Sequence, residues 1–209
     1  QPADMLIQEH MDNNRVIQET VDPYSSLSDW QRQTAIHEGL KDYVYTDTEG
    51  HPTTGIGDKL SEEEIKSLGL DGPLKPNQHF RDLRLDKDHV ATFKENYARQ
   101  ASTMHTSFEN KFGKGTFGDL IPDAQGILID LSFNMGADKL RTKFEGFLNA
   151  MHGKKYEDAA NHLRYVSGEP ETKQSSFFTA GGLHEEGTER SKALYKKLME
   201  LHATQATGR

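Results

Sequence analysis

Apolar residues recur over much of this chain at three-, four- and seven-residue intervals, the spacing of one helix face, and one short stretch departs toward strand. Ser28 with Gln31 makes a capping-box signature, and Trp30, Ile36 and Leu40 supply an apolar stripe. A helix is therefore predicted from about Ser28 to Glu38, with Gly39 as its stop. Tyr43, Val44 and Tyr45 favour a strand, Asp47-Thr48-Glu49-Gly50 is turn chemistry, and Thr53-Thr54-Gly55-Ile56-Gly57 returns as a glycine-thinned second strand. Ser61 to Glu64 repeats the capping box, Gly69 closes that short helix, and Pro73 and Pro76 mark a loop. From Asp86, the residues Val90, Phe93, Tyr97, Met104, Phe108 and Phe112 line one face of a long helix over 86–112, which Gly113 and Gly115 end.

Beyond it, Pro122 suits a first helical turn, and Ile127, Leu128, Leu131 and Phe133 are apolar enough for a buried core helix. Shorter helices are expected around 143–151 and 154–165, and Thr188 caps a last one carrying Ala193, Leu194, Leu198 and Leu201. The segment 167–187, rich in Gly, Ser, Glu and Thr, reads as a mobile loop. Residues 1–27 hold apolar positions (Met5, Leu6, Met11, Val16, Ile17) at loosely helical spacing before a break at Asp22-Pro23, and are taken as an extension or linker helix. The sum is an α+β arrangement: mostly helix with one small antiparallel sheet near the start.

Composition narrows this picture. A length of 209 residues allows one large domain or two small lobes, and no apolar run approaches the roughly 20 residues needed to span a bilayer. With no cysteine, disulfides, thiolate metal sites and a cysteine nucleophile are excluded, while the compartment stays open. A net charge of −8 argues against nonspecific nucleic-acid binding and equally against long-range attraction to an anionic wall. No charged n-region followed by an apolar h-region opens the chain, and a start at Gln1 is expected of a processed protein or one cut from a longer chain.

The stretch 37–57 concentrates the candidate chemistry. Glu38 ends a helix, Asp47 sits at the hairpin tip, and Thr53 lies on the return strand; two carboxyls across a gap are what cleavage of a glycosidic bond requires. A lone Glu at a helix end is ordinarily a surface carboxylate, but the macrodipole disfavours it there, so its placement asks for a reason. Asp47 by itself would be a turn residue hydrogen-bonded to its own backbone. The joint occurrence of the three favours function. The ten histidines fall in no metal-ligand spacing on a helix face, so they are expected on the surface and no metal is expected. Gly55-x-Gly57 is too short for a phosphate loop, and no Ser sits in Gly-x-Ser-x-Gly. Phe93, Tyr97, Phe108, Phe112, Phe144 and Phe147 are expected in the core rather than as a stacking platform, and Tyr43 and Tyr45 could be either.

The run Glu38-Gly39-Leu40, through Asp47-Thr48-Glu49-Gly50, to Thr53-x-Gly55-Ile56-Gly57 resembles the catalytic segment of phage-type lysozymes, glycoside hydrolase family 24, with the T-even branch nearest. Phe133-Asn134-Met135-Gly136 is similar to the family's cleft-lining segment, Phe144-x-x-Phe147-Leu148 and Tyr156 to Ala160 follow, and Arg190 stands where the family places an arginine near the catalytic acid. The likeness runs from roughly residue 28 to 200.

That resemblance implies a two-lobed, mostly helical enzyme: an N-terminal lobe over about 28–85 with the hairpin sheet, the connecting helix 86–112, and a C-terminal helical lobe over about 116–209. It implies hydrolysis of the β-1,4 bond between N-acetylmuramic acid and N-acetylglucosamine in peptidoglycan, by inversion. Glu38 would protonate the leaving oxygen, Asp47 would support positive charge and help activate water, and Thr53 would position that water. Asn134, Phe133 and Gly57 would line the sugar site, and Arg190 would orient Glu38, although an arginine beside a carboxyl works against proton donation. No cofactor is implied. Glycan strands are the expected partner, with an immunity or inhibitor protein possible, no nucleic acid, and a monomer acting in the periplasm or outside the cell.

The chain departs from the family pattern at Asp58, where a His is common, at His51-Pro52, in a longer 167–187 segment, and in the residues before 28. Its acidity suggests a distinct delivery context, as a phage endolysin, a phage tail protein or the catalytic part of a secreted antibacterial effector. Two rivals are a lytic transglycosylase, which works with one Glu, and a wall-binding module that keeps the fold without turnover.

Overall fold

The computed structural model of the chain describes residue 22, residues 24–182 and residues 186–208. Of the expected extension, residues 1–21 and 23 lie outside the described residues. Its end belongs to the fold: Leu27 is buried in the main core, and the Tyr24 hydroxyl donates to the Leu40 carbonyl at 2.9 Å.

Helix α1 spans Asp29–Glu38 with both arms of its capping box formed, since Ser28 Oγ accepts from the Gln31 amide and the Gln31 side chain accepts from the Ser28 amide. Gly39 adopts φ 70°, a left-handed stop that turns the chain into the sheet. The sheet is antiparallel, in the order β3-β2-β1-β4, with β1 over Lys41–Thr46, β2 over Pro52–Gly55, β3 over Asp58–Lys59 and β4 over His79–Phe80. The return strand is shorter than the spacing predicted. Gly55 and Gly57 take φ of 57° and 77°, so the chain folds back after Gly55 and Asp58 and Lys59 pair with Thr54 and Thr53. β4 carries no strand signal of its own; two residues are held by pairing Val44 and Tyr45 with Phe80 and His79.

Val44, Leu60 and Leu70 form a small core under this sheet, closed by Ile65, Phe80 and Leu83 among others, with α2 (Glu62–Ser67) capped by Ser61. The larger core is helical. α3 runs His89–Phe112, three residues later than the pattern's start at Asp86, because the Asp88 side chain accepts from the Ala91 amide and sets the beginning. Its apolar face (Phe93, Tyr97, Met104, Phe108) packs on α4 (Pro122–Met135), whose Pro122 stands in the first turn. α5 (Ala137–Lys143), α6 (Glu145–His152), α7 (Tyr156–Arg164), α8 (Ser176–Thr179) and α9 (Glu189–Ala206) complete the set. α1 precedes the sheet in sequence, yet it packs on α4 and lends Ala35 to the helical core.

The 167–187 segment is anchored rather than free over much of its described length. Tyr165 bridges Gln174, and α8 buries Phe178, whose ring leaves no room for a side chain at Gly187. Among the described residues there are nine helices and one four-stranded antiparallel sheet, an α+β fold, and no helix is long and apolar enough to cross a membrane.

Candidate active site

Glu38 is the last residue of α1, and its carboxyl opens on a cleft of about 420 Å³ between the Gly55–Asp58 turn and α3. Phe133 forms part of the wall, stacked on Phe93 at 5.9 Å between ring centroids, and Asn96, Arg99, Gln100 and Asp58 make the rest largely polar. A carboxylate at a helix C-terminus faces the negative end of the macrodipole, so it needs a cation. Arg190, from the first turn of α9, supplies it: Nη2 donates to Glu38 Oε1 while Nε donates to Asp130 Oδ2 at 3.1 Å.

Asp130 is fully buried in the middle of α4. Burial alone would raise its carboxyl, but the His37 hydrogen bond and the Arg190 charge outweigh it and hold Asp130 below the ordinary carboxylate range. His37 Nδ1 lies 3.1 and 3.2 Å from the two Asp130 oxygens, and its Nε2 meets Gln33 at 2.7 Å. The guanidinium therefore serves two carboxylates, and its charge is divided between them.

The surface reading of the histidines is corrected at two places. His37 is enclosed against Asp130, and His89 is buried at the start of α3 with Nε2 3.0 Å from Thr54 Oγ1. Neither His37 nor Asp130 was singled out by spacing. One signal was present: a lone acid inside the apolar run Ile127-Leu128-Ile129-Asp130-Leu131. Asp58, a departure from the pattern of the resembled family, lines the Glu38 cleft.

Asp47 and Thr53 sit elsewhere on the hairpin, and neither lines this cleft. Asp47 Oδ1 accepts from the backbone amides of His51 (2.8 Å) and Glu49 (2.9 Å), and Oδ2 faces the His51 ring at 3.3 Å and Lys59 Nζ at 3.7 Å. The His51 amide is the largest influence, and with the Glu49 amide and the His51 ring it holds the carboxyl below its usual range against desolvation, which pulls the other way. Thr53 is buried on β2 and gives its hydroxyl to the His51 carbonyl at 2.8 Å. Gly57 donates its amide to the Tyr45 hydroxyl at 3.1 Å on the exposed side of the turn. Asp47, Glu49 and His51 bring ligand-type atoms within 4.8 Å of one another, with Lys59 Nζ 3.7 Å from Asp47 and 3.3 Å from the His51 ring.

Asn134 and Arg190 line a second cavity of about 380 Å³ with Lys139, Phe144 and Phe177. The Glu38 to Arg190 contact stands between the two spaces. The structure thus brings together Glu38 with Phe133 in one cleft, Arg190 with Asn134 in the next, and keeps Asp47, Thr53 and Gly57 on the hairpin. No protein-family model matches the chain, and no curated protein matches it in sequence.

Proposed function

We propose that this protein is a peptidoglycan hydrolase that cleaves the β-1,4 bond between N-acetylmuramic acid and N-acetylglucosamine, acting on the cell wall as a monomer. The observation that carries the proposal is Glu38: a carboxyl fixed by Arg190 at the wall of a polar cleft large enough for a sugar ring. Glu38 protonates the leaving oxygen. Asp47, kept anionic by its own turn, provides fixed negative charge from the hairpin, and inversion follows if it and Thr53 direct water to the far face. The Phe133 ring gives an apolar surface for a sugar face in the Glu38 cleft, and Asn134 offers an amide for an acetamido group that reaches the neighbouring cavity. Glycan strands are the partner in this reading, and an immunity or inhibitor protein would bind over the cleft.

One observation favours a second reading. Asp47 and Thr53 do not line the Glu38 cleft, and a site working with a single Glu is what a lytic transglycosylase uses. Product masses separate the two, because hydrolysis adds water to the new reducing end and transglycosylation closes an anhydro ring.

The test is the parent and Glu38→Gln on purified peptidoglycan, with masses recorded. The substitution keeps shape and removes the titratable proton, so clearance should fall by roughly 10²–10⁴-fold. Equal clearance by both proteins would remove Glu38 as the acid, and only anhydro ends from the parent would replace the hydrolase reading by the transglycosylase one. Asp47→Asn and Thr53→Ala should slow turnover with circular dichroism unchanged; unaltered rates in both would reject their part in handling water.

A further inference from the structure

We infer that Asp130 is a positioning residue for the acid: it divides the charge of Arg190, so that the guanidinium orients Glu38 without claiming it entirely as a carboxylate. The inference rests on the reading of Glu38 as proton donor. Its basis is geometric. Arg190 uses two different nitrogens on two carboxylates, Nε on Asp130 and Nη2 on Glu38, as the fork of a guanidinium allows. Asp130 is fully buried and takes a second donor from His37, so its place is fixed by packing on all sides.

The electrostatic consequence has a definite sign. With Asp130 anionic, the Arg190 charge is set against two carboxylates, Asp130 and Glu38, with the His37 ring against the Asp130 oxygens. Without it, Arg190 faces Glu38 alone, and a single nearby cation favours the ionised form of a carboxyl. The groups facing Asp130 are His37 from α1, Tyr97 from α3 and Arg190 from α9. Tyr97 is pushed up to about 12, by burial first and by the Asp130 charge second, which places that negative charge on the α3 side as well. Glu38 is faced by Arg190 and, in its cleft, by Asp58, His89 and Arg99, while Lys139 lines the neighbouring cavity beside Arg190. Of these, only Arg190 bonds to Asp130.

The experiment compares parent, Asp130→Asn and Asp123→Asn. Asp123 also stands on α4, where it accepts from Trp30 Nε1 and pairs with Lys197, so its variant loses stability without touching the Glu38 chain. In Asp130→Asn the alkaline limb of kcat/KM on purified peptidoglycan should move down by roughly one pH unit, which is about a tenfold loss above the limb, with KM little changed. Asp123→Asn should leave the limb in place. A limb unmoved in Asp130→Asn overturns the inference while leaving the hydrolase reading intact.

The carbon-13 signal of the Glu38 carboxyl, titrated without substrate, reads the same shift in protein that does not turn over. If the parent is inactive on walls and that signal still moves down in Asp130→Asn, the charge division stands and the functional reading falls; if it does not move, the division falls too. Should Asp130→Asn not fold, Arg190→Lys takes its place. A single ammonium nitrogen lacks the fork that holds the two carboxylates separately, so kcat should fall about tenfold at unchanged KM, and a parental kcat would overturn the inference.

Discussion

Gly126→Ala tests the packing that seats α1 on α4. Gly126 lies inside α4, where alanine would ordinarily gain about 0.5–1 kcal/mol of helix stability. Here the added methyl would meet Trp30 Cδ2, Cε2 and Cγ at 2.2, 2.4 and 2.4 Å. These are the rigid centre of the indole rather than a flexible tip, so the whole ring must move. Overpacking of this kind costs about 1–3 kcal/mol, and an overlap this deep belongs at the upper end. Moving the ring also breaks the 2.9 Å bond from Trp30 Nε1 to Asp123, worth about 1 kcal/mol. After the propensity gain, a net loss of about 3 kcal/mol remains.

Urea unfolding followed by tryptophan emission is the assay, and since the chain holds one Trp, the signal comes from the perturbed ring itself. Trp30→Ala combined with Gly126→Ala should recover the propensity gain, giving a favourable coupling of about 1–3 kcal/mol in a double-mutant cycle whose members are all followed by far-UV circular dichroism, because Trp30→Ala removes the only Trp. If Gly126→Ala matches or exceeds the parent in stability with its native emission unchanged, the close seating of Trp30 on α4 is wrong.

Two further outcomes concern stability. Thr188→Ala removes the hydroxyl that accepts from the Ser191 amide at 3.1 Å, and should cost about 1 kcal/mol in urea unfolding with α9 otherwise intact; no loss would mean that the cap is idle. The Lys87 ion pair first, and the Ser61 amide after it, hold Glu64 at about 2 rather than 4.5, a depressed carboxyl, so their contribution is full above pH 4.5 and is lost as the pH falls toward 2. The stability difference between parent and Lys87→Gln should therefore be small, because both groups are solvated, and should shrink as the pH falls across that window. A difference constant from pH 6 to pH 3 would refute the linkage.

Much of the fold was legible in the residues because the interactions that begin and end helices are local. Ser28 with Gln31, Ser61 with Glu64, Gly39, Pro122 and Thr188 each act within three or four positions, and each acts in the structure where the pattern placed it. The hairpin turn was equally local, since the Asp47 carboxylate bonds to amides two and four residues on. What lay beyond reading was non-local. β4 is two residues long and is a strand only because β1 lies beside it, and 176–179, though capped locally by Ser175, is anchored by burial of Phe178.

The same division runs through the candidate site. Glu38 could be chosen from its helix end and its surroundings in sequence. Asp130 could at most be noticed, as a charge in an apolar run, because a buried carboxylate is tolerated only with partners, and its partners come from α1 and α9. Local sequence set the helices, their caps and the turn; the packing of α1, α4 and α9 decided which charges meet, since Coulomb attraction depends on separation in space and not along the chain.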